Sequence, residues 1–339
     1  MPVRPVATAA AAFLGLALAL AGTTASASVP ASPSPPVSAS AYASASTPVH
    51  APAAVPFPAA VPVAPGVPGD VRDAEPVRLV GAPVVYAHRG ASAYAPENTL
   101  AAVDVAEEMD VAWVENDVQR TKDGELVVVH DDTLARTTNV EQLFPDRRPW
   151  RVRDFTAAEI ARLDAGSWFA PEFTGARVPT LRSYLDRVER NRQRLLLEIK
   201  KPELYPGIEA ETLRVLDEAG WLDEQHLSRR LVVQSFSADC VRAVHTLRPD
   251  VVTAFLGTPP VAELARYAAF TDRINPWHTT ITADWVAAVH RMAGPHGRVL
   301  EVDTWIVDDA ATARKVQEMG VDGIISNAPD VVREAVGGF

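Results

Sequence analysis

Glu115, Asp117 and His130 fall within one short stretch, WVENDVQRTKDGELVVVHD, from Trp113 to Asp131. Only 12 residues separate Asp117 from His130. That gap is too short for the crossover helix a parallel strand pair needs, so the apolar runs on either side of Lys122-Asp123-Gly124 should form an antiparallel hairpin. Asp-Gly is a favoured two-residue hairpin loop. With Asp123-Gly124 as that loop, Lys122 pairs with Glu125 and the ladder sets Asp117 opposite His130. Period-two alternation puts Glu115 on the same face. Taken alone, Glu-x-Asp in a strand suits a solvated face, and a His beside it a satisfied surface residue.

Other residues argue for chemistry. The buried-looking run LLLEIK (195–200) carries Glu198 and Lys200 near its end, and PVVYA (83–87) leads into His88-Arg89-Gly90. Glu115, Asp117 and Glu198 offer three hard oxygen donors, which suit one Ca²⁺ or Mg²⁺ rather than zinc. Carboxylates this close repel one another unless a cation joins them. His88 and His130 supply an acid/base pair, since imidazole titrates near neutral pH. Arg89 and Lys200 bring positive charge to a phosphate oxygen. The set fits phosphodiester cleavage.

The elements that must carry these residues alternate regularly. Candidate strands start near residues 84, 112, 195, 231, 251, 273, 299 and 322, with helical stretches between them and the hairpin return as an extra. Eight βα units make an α/β fold, a TIM barrel. His88, Glu115, Asp117, Glu198, Lys200, Ser235 and Trp305 all lie at or near strand C-terminal ends, the catalytic face of such a barrel. Residues 131–180 hold no long periodic segment, although Thr156 to Leu163 could form a short helix, and the stretch LDAGSWFAPEFTG (163–175), rich in aromatic and turn residues, reads as an elaborated loop. Loops of that length are usually functional.

Residues 1–27 read as a secretory signal peptide. Ala9 to Ala21 is an apolar core too short to span a bilayer, and Ala25-Ser26-Ala27 is a small-x-small cleavage pattern. Residues 28–75, dominated to Pro68 by Pro, Ala, Ser and Val, read as a disordered linker. The barrel domain is assigned to residues 82–339. The mature protein is expected to be secreted, without a stable membrane anchor. Cys240 is the only cysteine, so no internal disulfide supports the exported fold. The net charge is −11, and residues 1–75 hold two arginines against three acids, so the folded part carries nearly all of it. An acidic surface argues against nucleic acid as a partner.

These motifs resemble the glycerophosphodiester phosphodiesterase family: HRG (88–90), PENT (96–99), VENDVQRTKDGELVVVHDDTLARTTN (114–139), LDAGSWF (163–169), PTL (179–181), LEIKKPELYPGIE (197–209), QSFS (234–237) and GVDGIISNAPD (320–330). The resemblance implies a TIM barrel with an insertion after its second strand. It implies Glu115, Asp117 and Glu198 as metal ligands, His88 and His130 as the acid/base pair, and Arg89 and Lys200 on the phosphate. The implied reaction hydrolyses a glycerophosphodiester to sn-glycerol 3-phosphate and an alcohol such as choline or ethanolamine. It passes through a cyclic phosphate, with the order of the histidines open.

Other positions are less specific. Glu97 suits either a contact to the site or a charge on the first turn of a helix. Trp305, and more weakly Phe236, could wall the substrate pocket. The chain departs from the family pattern at Ser326-Asn327, where many members read Thr-Asp, and at WIVDD (305–309), where Trp-Thr-Val-Asn is usual. Both departures read as pocket rim, away from the metal and acid/base set. His226, His245, His278, His290 and His296 read as structural, with His278 the exception to watch. Competing readings are a phospholipase D-like enzyme on lysolipids, teichoic acid as the true substrate, and a secreted wall- or glycerophosphate-binding barrel without turnover.

Overall fold

The computed structural model describes residues 81–337. The expected signal peptide and linker lie outside the described residues. Among the described residues nine strands form one sheet: β1 (Val84–Ala87), β2 (Trp113–Arg120), β3 (Leu126–Val128), β4 (Arg194–Ile199), β5 (Leu231–Ser235), β6 (Thr253–Leu256), β7 (Arg273–Asn275), β8 (Glu301–Thr304) and β9 (Gly323–Ser326). All are parallel neighbours except β3, and β1 pairs with both β2 and β9, so eight strands close on themselves. This is the TIM barrel. Helices that include Leu100–Glu108, Leu181–Arg190, Ile208–Glu218 and Ala238–Leu247 cover it. Among the described residues no helix is long and apolar enough to cross a membrane.

The period-two rule explains both layers of the core. On β2 and β4, Val114, Val118, Leu195, Leu197 and Ile199 point outward and pack against helices. The alternate positions point in, where Tyr86, Trp113, Leu196, Val232, Ala254 and Ile325 fill the barrel. Two residues further along these same strands come His88, Glu115, Glu198, Gln234, Leu256 and Asn327. Alternation alone thus lifts a polar layer on top of an apolar plug, at the strand C-terminal ends.

The hairpin forms, but its register differs by one residue from the two-residue-loop expectation. Val118 pairs with Val128 and Arg120 with Leu126, so Asp117 faces Val129 rather than His130. The turn spans three residues. The Thr121 N–H donates to the Glu125 carbonyl, and Gly124 takes φ +90°, the left-handed conformation that ends a type I turn with a bulge. Contacts from the insertion favour this turn, because the Lys122 and Ala157 N–H groups donate to the Phe155 carbonyl and to Asp123 Oδ1.

The insertion is a packed unit rather than a loop. Val127, Leu134, Val140, Trp150, Phe155, Ile160 and Leu163 form a core of their own. A capped helix, Ala157–Ile160, sits where a short helix was expected. The apolar residues here follow no helical or strand period, so periodicity could not reveal the core.

Candidate active site

Glu115 and Asp117 on β2 and Glu198 on β4 converge inside the barrel mouth, each with one carboxylate oxygen within 4.8 Å of the others. The parallel register aligns Asp117 with Glu198. All three are buried. Burial, then the charges of Asp117 and Glu198, drive the Glu115 carboxyl well above its ordinary range. Burial likewise pushes Glu198 up to about 7, although Lys200 opposes it. Asp117 goes the other way: burial is outweighed by Lys200 and Arg89, which hold it below the usual range.

Two cations partly balance the acids. Lys200 Nζ lies 2.7 Å from Glu198 Oε1 and 3.6 Å from Asp117 Oδ1. Arg89 Nε lies 3.3 Å from Asp117 Oδ2, and the Arg89 N–H donates to Glu115 Oε2 at 2.9 Å. That N–H reaches the carboxylate because Arg89 takes φ +57°, a strained conformation of the kind that collects at functional sites. With all three ionised, three carboxylates against these two cations leave one negative charge in excess. Asp117 Oδ1 is buried with no hydrogen-bond partner. A hard divalent cation fits this donor set, since it would satisfy that oxygen and reverse the local charge.

The histidines flank the acids. His88 follows β1 and is buried, and its Nδ1 lies 2.6 Å from Asn327 Oδ1. Burial, then Arg89, lowers the His88 imidazole to about 3. His130 reaches the site in spite of the register because β3 has ended and the chain turns there. The buried Gln119 amide gathers the Val129, His130 and Asp131 carbonyls at 2.9, 3.0 and 2.6 Å. His130 Nδ1 lies 2.7 Å from Asp131 Oδ1. A cavity of about 60 Å³ opens between the groups, lined by His88, Arg89, Glu115, His130, Glu198 and Lys200 on one side. Phe236, Leu256, Trp305, Ile306 and Ile325 form its apolar side. A larger hollow of about 930 Å³ lies by the start of β4, but ion pairs such as Arg230–Glu189 and His226–Asp223 already occupy its charged rim.

Several readings need correction. Ser235 faces away from the cavity and donates to the Ile199 carbonyl; Gln234 takes the inward position instead. The departures from the family pattern are not mere rim. Asn327 touches His88 directly, and its side-chain and backbone N–H groups both donate to Asp308 at 2.7 Å. Acid and amide have traded places relative to the usual pattern. Counting inward positions along β9 would have found Asn327, two residues beyond Ile325. Glu97 lies outside the helix that starts at Leu100 and bonds Arg89 at 2.9 Å, so it serves the site.

Trp305 and Phe236 meet edge to face at 5.4 Å along the cavity wall. His278 stacks on Trp277 outside it. His226, His290 and His296 pair with Asp223, Asp322 and Asp272.

Similarity to known proteins agrees with this geometry. A solved phosphodiesterase of Oleispira antarctica, in complex with the product sn-glycerol-3-phosphate, superposes with a TM-score of 0.65 at 26% identity, over 75% of this chain and 97% of that one. YhdW of Bacillus subtilis is 37% identical over 253 residues, 73% of this chain and 96% of YhdW. A glycerophosphodiester phosphodiesterase of the same species is 34% identical over 271 residues, 76% of this chain and 87% of its own length. A profile described as the glycerophosphoryl diester phosphodiesterase family matches residues 88–331, from the first candidate histidine to just past Asn327, and it is to this family that the chain belongs.

Proposed function

We propose that the chain is an exported, cation-dependent hydrolase of glycerophosphodiesters such as glycerophosphocholine and glycerophosphoethanolamine. The observation that carries this reading is the buried Glu115–Asp117–Glu198 cluster at a cavity that two imidazoles also line, in a chain of this family. Ca²⁺ or Mg²⁺, held by those three residues, would supply positive charge to the phosphate oxygens.

Arg89 and Lys200 bind and orient the phosphodiester. His88 acts first as general base. Asp308 accepts from Asn327 Nδ2, which turns Asn327 Oδ1 toward His88. The imidazole therefore carries its proton on Nδ1, and its Nε2 lone pair is free for the substrate. As Nε2 takes the proton of the free hydroxyl beside the phosphoester, that oxygen bonds to phosphorus. The bond from phosphorus to the leaving alcohol breaks, and His130 protonates the departing oxygen. Asp131 on Nδ1 is the partner that suits an imidazolium donor. Water then opens the cyclic phosphate with the two roles reversed, releasing sn-glycerol 3-phosphate. Trp305 and Phe236 wall the glycerol side.

A coupled assay for glycerol 3-phosphate, run on both substrates with each ion and with chelator, tests the reading. Absence of product with either ion rejects it. Lysolipid cleavage is a second reading, favoured by the 40% exposed Trp168, whose indole N–H donates to the carbonyl of Ala165, a residue that lines one small hollow with Glu97 and His130. Release of lysophosphatidic acid or its cyclic form from lysophosphatidylcholine would mark that activity. Export predicts a mature N-terminus after Ala27, which mass spectrometry of culture medium reads directly.

A further inference from the structure

Arg136 stands in the insertion, 44% exposed, and is not part of the cavity wall. Its guanidinium is engaged on two edges. Nε and Nη2 donate to Asp131 Oδ2 and Oδ1 at 2.7 and 3.0 Å. Nη1 and Nη2 donate to Glu97 Oε2 and Oε1 at 2.7 and 2.8 Å. Each of those carboxylates holds a different part of the site. Asp131 Oδ1 bonds His130 Nδ1 at 2.7 Å, and Glu97 Oε1 accepts from Arg89 Nη1 at 2.9 Å.

The backbone that carries Arg136 is itself fixed. Leu134 is fully buried in the insertion core, and Thr138 donates to the Leu134 carbonyl at 2.6 Å. The five donors of a guanidinium suit two carboxylates at once, which a lysine ammonium cannot match in geometry.

We propose that Arg136 is a positioning residue that locks His130, through Asp131, and Arg89, through Glu97, into one array, and that delivering it is what the insertion contributes to catalysis. The proposal rests on the phosphodiesterase reading for its kinetic consequence. The hydrogen-bond chain itself does not depend on that reading. A continuous chain of hydrogen bonds and ion pairs runs from His130 through Asp131, Arg136 and Glu97 to Arg89 and Asp117, so the acid/base group and the phosphate-binding group are held relative to each other. Loss of the central link loosens both without removing either.

Arg136→Ala and Arg136→Lys, compared with the full-length wild type on glycerophosphocholine, test this. Both variants should lose roughly ten- to hundred-fold in kcat, the scale of losing a partner that orients a site residue. Millimolar guanidinium should restore part of the Arg136→Ala rate, whereas ammonium should not. A wild-type rate in Arg136→Lys would overturn the proposal. So would a rise in KM with kcat intact, which would put Arg136 on the substrate. A loss without rescue, matched by a lowered thermal midpoint, would reduce Arg136 to fold support and also overturn it.

A readout independent of turnover is the ¹⁵N pattern of the His130 imidazole. One Nδ1–H form in the wild type and a mixture in Arg136→Ala support the lock; identical patterns overturn it. If the wild type fails to turn over glycerophosphodiesters, the functional reading has failed, and this spectrum still decides the structural one.

Discussion

The Nδ1 of His88 lies 2.6 Å from the side-chain oxygen of Asn327, and Asp308 accepts from the nitrogen of that same amide at 2.7 Å. Ser92 donates to the oxygen at 2.8 Å. A carboxylate accepts and does not donate, so Asp308 sets which way the amide points, and the amide sets which nitrogen of His88 carries the proton.

Asn327→Asp should therefore move the acid limb of the kcat/KM profile to higher pH. Burial and Arg89 favour neutral His88, lowering its imidazole to about 3. A carboxylate on Nδ1 stabilises the imidazolium, and a base must be neutral to act, so protonation would silence it at a higher pH than before. An unchanged limb in the variant would show that His88 is not the base in this step.

Cation binding should stabilise the fold more as pH rises. Burial raises the Glu198 carboxyl to about 7 from an ordinary 4.5. With a folded-state pKa above the unfolded one, the ion-free protein has this contribution in full below 4.5 and loses it as pH climbs to about 7. The cation takes the place of that proton. The rise in thermal midpoint on adding Ca²⁺ or Mg²⁺ should grow across the same window. A rise of constant size at all pH values would separate Glu198 from the ion.

His130→Ala should cost about 10²- to 10⁴-fold on glycerophosphocholine, the usual worth of a proton donor. The penalty on kcat/KM for release of the alcohol, the step before ring opening, should shrink on an analogue with a p-nitrophenyl leaving group, which departs without protonation. Equal losses on both substrates would take His130 off the leaving oxygen.

Gly90→Ala should destabilise the fold by roughly 2 kcal/mol or more, from the cost of a left-handed non-glycine residue and a close contact. Gly90 has φ +78°, and a Cβ there would come within 2.6 Å of the Ala102 backbone. This glycine seats the turn carrying His88 and Arg89 against the helix Leu100–Glu108. Denaturant titration reads the change, and an unaltered midpoint would refute the packing argument.

The barrel was legible because alternation and strand spacing are local properties. The same alternation carried Glu115, Asp117, Glu198 and Lys200 to one mouth. The hairpin register was not legible, since a tertiary contact from Phe155 to Lys122 helps decide between two turn types that Asp123-Gly124 equally permits. The anchoring of His130 by Gln119, and the meeting of Arg136 with both Glu97 and Asp131, depend on an insertion whose core follows no period. Asn327 lies within reach of a period-two count, although as a departure from the family pattern it reads only as pocket rim.

Phosphorus NMR of glycerophosphocholine turnover is the most direct measurement of the central claim. With Ca²⁺ or Mg²⁺ present, the diester resonance should give way to that of sn-glycerol 3-phosphate, and chelator or Glu198→Gln should stop the conversion. Turnover that continues unchanged in chelator, or in Glu198→Gln, would contradict it.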